Sequence, residues 1–459
     1  MTPTTRLAAS VSTCFRANTL ARDKMLRGAV CFGRRAGVSF VGGRMPVARF
    51  YQSVTEYPTK SGNPQRVPAK GPVQWENPRK QKGGTPGDPA PPFAFVFDID
   101  GVLLHVSKPI PGAAESLQFL KDHNIPFILL TNGGGKPEAD RVRDLTEKLG
   151  VTLTTDNFVQ SHTPFRQLVD GPDGFQDKTI LVTGSDPERC RGIALDYGFK
   201  TVLTPADIYT ADPTIFPFAP PTPQPNRPLP LPLATPSTPA SSLPSHLKID
   251  AIFVFDDPRD WALDTQLIMD LLQSHAGHLG TYSPLNADPS LPNFGWQNDG
   301  QPPLYLSNSD LVWSAAYPLP RFGQGAFHAA LAGVWRRLTG GRALRRRVLG
   351  KPHTETYAFA ERVLADHRRD LLGEGEGVGR LESVYMVGDN PASDVAGANR
   401  YVSGEGTEWV SVLVETGVWR EGRVGAAELT GEKRPARVVG DVKAAVRAAL
   451  EREGWGGMF

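Results

Sequence analysis

"FAFVFDIDGVLLH", residues 93–105, is the stretch on which the reading of this chain turns. Five apolar residues run into Asp98, and a second carboxylate, Asp100, follows two positions on, just ahead of Gly101. A short, wholly apolar strand suits a parallel sheet covered on both faces. Two acids and a glycine at its end are either a solvated turn or a reactive centre. An EF-hand loop is excluded, because Gly101 occupies the fourth position rather than the sixth. Residues far along the chain decide between the two readings.

Outward from this strand the chain alternates strand and helix. "GAAESLQFLKDHN" (112–124) predicts a helix, "IPFILLTN" (125–132) a second buried strand and "KPEADRVRDLTEKLG" (136–150) a second helix. The rhythm continues through "KTILVTG" (178–184), "DPERCRGIALDYG" (186–198), "KIDAIFVFDD" (248–257), "PPLYLSNSD" (302–310) and "GAFHAALAGVWRRLTG" (325–340). "RRRVLGKP" (345–352), "ESVYMVGDNPASD" (382–394) and "WVSVLVETGV" (409–418) return to strands, and "DVKAAVRAALEREG" (441–454) closes with a helix. Such alternation predicts an α/β fold, a Rossmann-like doubly wound parallel sheet. The expected layout is a core domain of 92–150 and 341–459, split by an inserted α/β cap domain of 151–340.

Three segments fall outside that pattern. Residues 1–51 hold nine Arg and Lys against one acid, Asp23, so the formal charge of +2 over 459 residues conceals an acidic remainder. This Arg-rich, acid-poor segment has the composition of a mitochondrial transit peptide, and "RFYQ" suggests processing after Tyr51. Residues 52–91 are rich in Pro, Gly and Lys and are expected to be a disordered linker. Residues 211–246, with twelve prolines between 213 and 244, are expected to be a disordered insertion in the cap. Of three cysteines only Cys190 lies beyond the leader, which excludes an internal disulfide or a zinc cluster in the processed chain. No apolar run is long enough to span a membrane, and the acidic remainder does not favour nucleic acid.

In open parallel sheets, ligands bind beyond the carboxyl ends of the strands. Four stations sit at those ends: Asp98 and Asp100; Thr131 and Asn132; Lys351; Asp389 and Asp394. In this order they resemble the haloacid dehalogenase-like hydrolase superfamily, with "DIDGV", "LLTN", "GKP" and "VGDNPASD" as its four motifs. The inserted domain lies between the second and third, as in the subclass with a large α/β cap. "TNGGG", the leader and the length look most like its cat-eye-syndrome critical-region branch.

What the resemblance implies is a magnesium-dependent phosphatase acting on a small phosphomonoester. Asp98 would be the nucleophile, forming an aspartyl-phosphate and so dividing one hard step into two. Asp100 would be the general acid and base, placed beside Asp98 by strand alternation if the backbone stays extended. Thr131 and Asn132 would donate to the phosphoryl oxygens, and Lys351 would set a point charge against them. Converging carboxylates repel one another, and an all-oxygen set suits Mg²⁺. By resemblance its ligands are Asp98, the Asp100 carbonyl and Asp389, with Asp394 behind them orienting a water or Lys351.

Other features carry less. "FVFDDPRD" (253–260) imitates the opening motif, but its acids are adjacent and Pro258 takes the place of the second one. The basic run 336–347 reads as a solvated face, and His162, His328 and His353 lack metal-ligand spacing. Gly133–Gly135 after "TN" permit close approach but supply no side-chain donors. A dehalogenase has no need of the second aspartate, and a catalytically idle scaffold would not need every charged position. The substrate class is not written in the motifs; compartment and family placement suggest a glycerophospholipid-related phosphate. The cap also offers a surface for oligomerisation.

Overall fold

Phe93, Phe95 and Phe97 point to one side of their strand and Ala94 and Val96 to the other, and all five are fully buried. The phenylalanines join a core with Leu117, Leu120, Val446 and Ala449, whereas Ala94 and Val96 meet Tyr357, Ala360 and Leu364. A strand buried on both faces has no polar position to offer until it ends, which is where Asp98 stands. Full burial of a phenylalanine contributes about 2–3 kcal/mol, so these three side chains fix the strand firmly in the layer.

The computed structural model describes residues 73–75, 91–218, 227–313, 317, 319, 321–372, 380–422, 428–456 and 459. The chain lays down β1 (Phe93–Phe97), β2 (Phe127–Leu130) and β3 (Phe158–Val159). It continues with β4 (Thr179–Thr183), β5 (Thr201–Leu203), β6 (Ala251–Val254), β7 (Leu304–Leu306) and β8 (Arg347–Val348). It ends with β9 (Ser383–Gly388), β10 (Glu408–Val414) and β11 (Arg437–Val439). One sheet has the order β11-β10-β9-β1-β2-β3 and another β8-β7-β6-β4-β5. Every pairing in both is parallel. Helices Ala113–Asp122 and Val442–Arg452 cover one face of the first sheet and Thr354–Leu372 the other. The fold is therefore an α/β core sheet with a second, α/β cap sheet. No helix among the described residues is long and apolar enough to cross a membrane.

The bounds differ from those expected. β3 pairs with β2 through Leu129 and Leu130, so the first sheet reaches past residue 150. β8 pairs with β7, so the second sheet reaches past residue 340. Two-residue strands escape a periodicity reading because they show less than one full alternation.

The expectation of disorder in the Pro-rich insertion needs correction where the insertion is described. In the insertion, Ala234 and Leu243 are buried, Leu229 and Leu233 pack on the cap core, and Leu247 N–H donates to Pro232 O at 2.7 Å. Leucines spaced among the prolines supply apolar anchors that proline content alone conceals. Residues 219–226 lie outside the described residues, as does the leader, 1–51. In the linker, Trp75 packs edge-on to Tyr385 with ring centroids 6.1 Å apart, and the Arg437 and Arg452 guanidiniums each lie 5.6 Å from its ring. Trp75 is thus partly buried against the core with two cationic partners; linker residues 52–72 and 76–90 lie outside the described residues.

Candidate active site

β1 delivers Asp98 beside β9, its N–H bonded to Val387 O at 2.9 Å. The next strand end supplies Thr131 and Asn132, the loop after β8 supplies Lys351, and β9 runs into Asp389 and Asp394. Lys351, 1 % exposed, donates from Nζ to Leu130 O at 2.9 Å and lies 2.8 Å from Asp98 and 2.7 Å from Asp394. Asp98, Asp389 and Asp394 offer carboxylate oxygens that all lie within 4.8 Å of one another.

The electrostatics follow from burial. Desolvation raises the Asp98 carboxyl against the pull of Lys351, with a smaller rise from Asp100. Desolvation raises Asp389 too, where Asp98 and Asp394 add to it and Lys351 opposes it. Burial pushes Asp394 up to about 6 against the same pull from Lys351. Burial alone would depress the Lys351 ammonium, but Asp394 and Asp98 outweigh it and keep it charged. Two buried carboxylates, a half-buried third and one ammonium leave a negative excess that solvent screens poorly. The donor set, all hard oxygen, fits a small divalent cation.

Glycines shape the space. A Cβ on Gly101, at φ +91°, would lie 2.3 Å from Asp389 Oδ2, and one on Gly417 would lie 1.8 Å from it. Asp389 Oδ2 also accepts from Val418 N–H at 2.6 Å. The carboxylate is thus seated against bare backbone on two sides.

Asp100 departs from expectation. Three backbone amides, of Val102, Leu103 and Leu104, donate to Ile99 O, so the chain turns at Ile99 rather than staying extended. Alternation then no longer applies, and the Asp100 side chain is 68 % exposed with Arg141 4.0 Å away. Asp100 does not belong to the carboxylate group.

Thr131 Oγ accepts from Gly133 N–H at 3.0 Å. Asn132 makes a two-sided clamp on Lys351: its Nδ2 donates to Lys351 O at 3.0 Å and its Oδ1 accepts from Lys351 N–H at 2.7 Å. The same Nδ2 donates to Asp310 Oδ2 at 3.0 Å, and Asn308 Nδ2 donates to Asn132 O at 3.1 Å. Asn308 and Asp310 had no sequence signal; "SNSD" reads as any polar strand end.

Gly134 and Gly135 approach other groups than a ligand. A Cβ on Gly134 would meet Ser161 Oγ at 2.6 Å, and one on Gly135 would meet Asp256 Oδ2 at 2.0 Å. Asp256, first acid of the imitation motif, accepts from Ser185 N–H at 2.7 Å and holds the cap side of that contact. His162 is buried with Nδ1 2.8 Å from Tyr197 Oη, and His328 is buried with Nε2 3.1 Å from Gln324 Oε1. Burial lowers the histidines, His162 to about 4, His328 to about 3 and His353 to below its ordinary value.

A strand-end carboxylate joined to a buried lysine, on a split α/β core, defines a class, and the family comparisons agree. A family profile described as haloacid dehalogenase-like hydrolase matches residues 95–200, and a second, haloacid dehalogenase-like profile matches 348–445. The chain belongs to the haloacid dehalogenase-like hydrolases. It is 38 % identical over 380 residues to a mitochondrial hydrolase of Saccharomyces cerevisiae, covering 78 % of this chain and 96 % of that one. It is 39 % identical over 345 residues to a cardiolipin synthase (CMP-forming) / mitochondrial hydrolase fusion protein of Schizosaccharomyces pombe, covering 72 % of this chain and 50 % of the fusion. The glycerol phosphate phosphatase of Mycobacterium tuberculosis superimposes with a TM-score of 0.45 at 18 % identity, over 78 % of each chain, a similarity too weak to argue from.

Proposed function

We propose that this hydrolase is a Mg²⁺-dependent phosphatase that acts on a phosphomonoester through a phosphoryl group carried on Asp98. The observation that carries the reading is the pairing of Asp98 with a buried, charged Lys351 at 2.8 Å, Asp389 and Asp394 being gathered round it. A phosphate ester is anionic and repels nucleophiles, so a site must neutralise charge and align groups.

Asp98, Asp389 and the Asp100 carbonyl would hold the cation, with Asp394 behind them. When bound, it supplies positive charge against the phosphoryl oxygens and the carboxylates. The other work falls to the chain. Lys351 keeps Asp98 ionised and aimed, and offsets charge on the transferring group. Thr131 and the Asn132 N–H lie at the adjacent strand end and donate to phosphoryl oxygens. Asp98 attacks phosphorus, and the bond to the alcohol oxygen breaks. Asp100 donates the proton to that oxygen and then takes one from the water that frees Asp98. It reaches the leaving oxygen once its side chain swings away from Arg141, and an exposed pair at 4.0 Å is a weak tether.

The relatives' names place them in mitochondria, and with the Arg-rich leader they support a mitochondrial location for this chain, in the matrix. The fusion with a cardiolipin synthase in a relative supports a glycerophospholipid-related phosphate as substrate. The test is phosphate release by the full chain from a panel of phosphomonoesters, lysophosphatidate and phosphatidylglycerophosphate included, with Mg²⁺ or with EDTA. Release that needs Mg²⁺ and vanishes in Asp98→Asn supports the reading; none from any ester, or full release by the variant, overturns it.

A further inference from the structure

Asp310 belongs to the segment leaving β7 of the cap sheet, yet it sits against the catalytic loops of the core. Its Oδ2 accepts from Asn132 Nδ2 at 3.0 Å. The neighbouring residues share the arrangement: Asp310 N–H donates to Asn308 Oδ1 at 2.8 Å, Asn308 Nδ2 to Asn132 O at 3.1 Å, and Ser309 Oγ to Lys351 O at 3.3 Å. Gly350, at φ +82°, makes room for this belt; a Cβ there would meet Ser307 O at 2.6 Å and Asn132 Oδ1 at 3.0 Å.

We infer that Asp310 is a positioning residue for Lys351, acting through Asn132, so that the cap segment 308–310 is part of the device that aims the catalytic lysine. The inference rests on the phosphatase reading above. An asparagine amide has two nearly equivalent orientations, and only one presents Oδ1 to Lys351 N–H and Nδ2 to Lys351 O. A carboxylate accepts hydrogen bonds and, when ionised, cannot donate them, so Asp310 selects the orientation with nitrogen toward itself. That orientation is the one that clamps Lys351 on both sides of its peptide. The lysine then delivers Nζ to Asp98 and Asp394.

The arrangement is costly for the fold alone. Burial pushes the Asp310 carboxyl up to about 6, and Asp394 and Asp98 add to the rise, against the pull of Asn132 and Lys351. A residue kept only for stability would not set a further acid in the field of two others. A positioning role and a purely structural role therefore predict opposite stability changes on removing it.

The experiment measures kcat, KM and thermal midpoint for the full chain and for Asp310→Ala and Asp310→Asn, with the best phosphomonoester of the panel and saturating Mg²⁺. Loss of a partner of this kind costs about 10–100-fold in activity, so Asp310→Ala is expected to lose at least tenfold in kcat, with KM changed far less. Its midpoint stays level or rises. Asp310→Asn, whose amide oxygen can still accept from Asn132 but whose nitrogen can also donate, recovers part of the lost kcat. Unchanged kcat in Asp310→Ala, or kcat and midpoint falling together without recovery in Asp310→Asn, overturns the inference. A wild-type chain inactive on every phosphomonoester would instead sink the phosphatase reading itself.

Discussion

Gly101 and Asp389 meet across the site so closely that no other residue fits at position 101: a Cβ there would stand 2.3 Å from Asp389 Oδ2. The contact explains why a glycine follows the two acids of the opening stretch. It also shows what the chain gains from the turn at Ile99, which carries bare backbone past the end of β9.

Gly101→Ala is accordingly expected to abolish most activity. The left-handed backbone, at φ +91°, costs an alanine about 1–2 kcal/mol, and the clash adds to that. Circular dichroism melts together with phosphate release check it: a folded, fully active alanine variant would show that the seat of Asp389 is looser than described.

Lys351, its side chain 2 % exposed, balances two carboxylates. Lys351→Met should destabilise the fold by about 3–5 kcal/mol at neutral pH, the cost of leaving a buried charge unpaired. Urea titrations at pH 5 and pH 8 measure it. The deficit should shrink at pH 5, where Asp394, pushed up to about 6, can take a proton.

The same negative excess predicts stabilisation by metal. A cation bound to the folded state alone adds about 2.7 kcal/mol at a hundredfold excess over its Kd. The melting midpoint should rise when EDTA is replaced by millimolar Mg²⁺, and Asp389→Asn should lose most of that rise. An equal rise in wild type and variant would point to nonspecific ion binding.

A group in the cap allows a pH prediction free of the catalytic centre. Burial pushes Asp264 up to about 7, with Asp260 adding to the rise and the Thr183 hydroxyl, donating at 2.7 Å, opposing it. The folded state therefore holds this proton more tightly than the unfolded chain does. The resulting stabilisation is complete below pH 4 and is lost as pH rises through about 7. Asp264→Asn keeps an acceptor for Thr183 without the charge, and should be more stable than wild type at pH 8 by on the order of 2–4 kcal/mol. At pH 4 the two should melt together.

Much of this was legible because local patterns carried it. β1 and β2 are unbroken apolar runs and β9 is apolar after Ser383, so the first polar residue after each, Asp98, Thr131 and Asp389, marks a strand end. Lys351 and Asp394 follow their strands within a few positions. Asp100 was misplaced for a reason outside any periodicity, since three amides converge on one carbonyl at Ile99. Asn308 and Asp310 were invisible because their meaning lies in contacts with Asn132, nearly two hundred residues away. The Pro-rich insertion misled in the opposite direction: its prolines signal loose chain, whereas Leu229 and Leu233 find a core to pack on and Leu243 is buried.

The most direct test of the central claim is whether phosphorus becomes bonded to Asp98. Asp100→Asn should slow the release of the phosphoryl group more than its capture, because the water that frees it has lost its base. Acid-quenched Asp100→Asn protein, taken during turnover and analysed by peptide mass spectrometry, is predicted to carry one phosphoryl group on the peptide containing Asp98, and Asp98→Asn to carry none. Sustained phosphate release by wild type, with the Asp98 peptide unmodified in every quenched sample and Asp98→Asn still active, would contradict it.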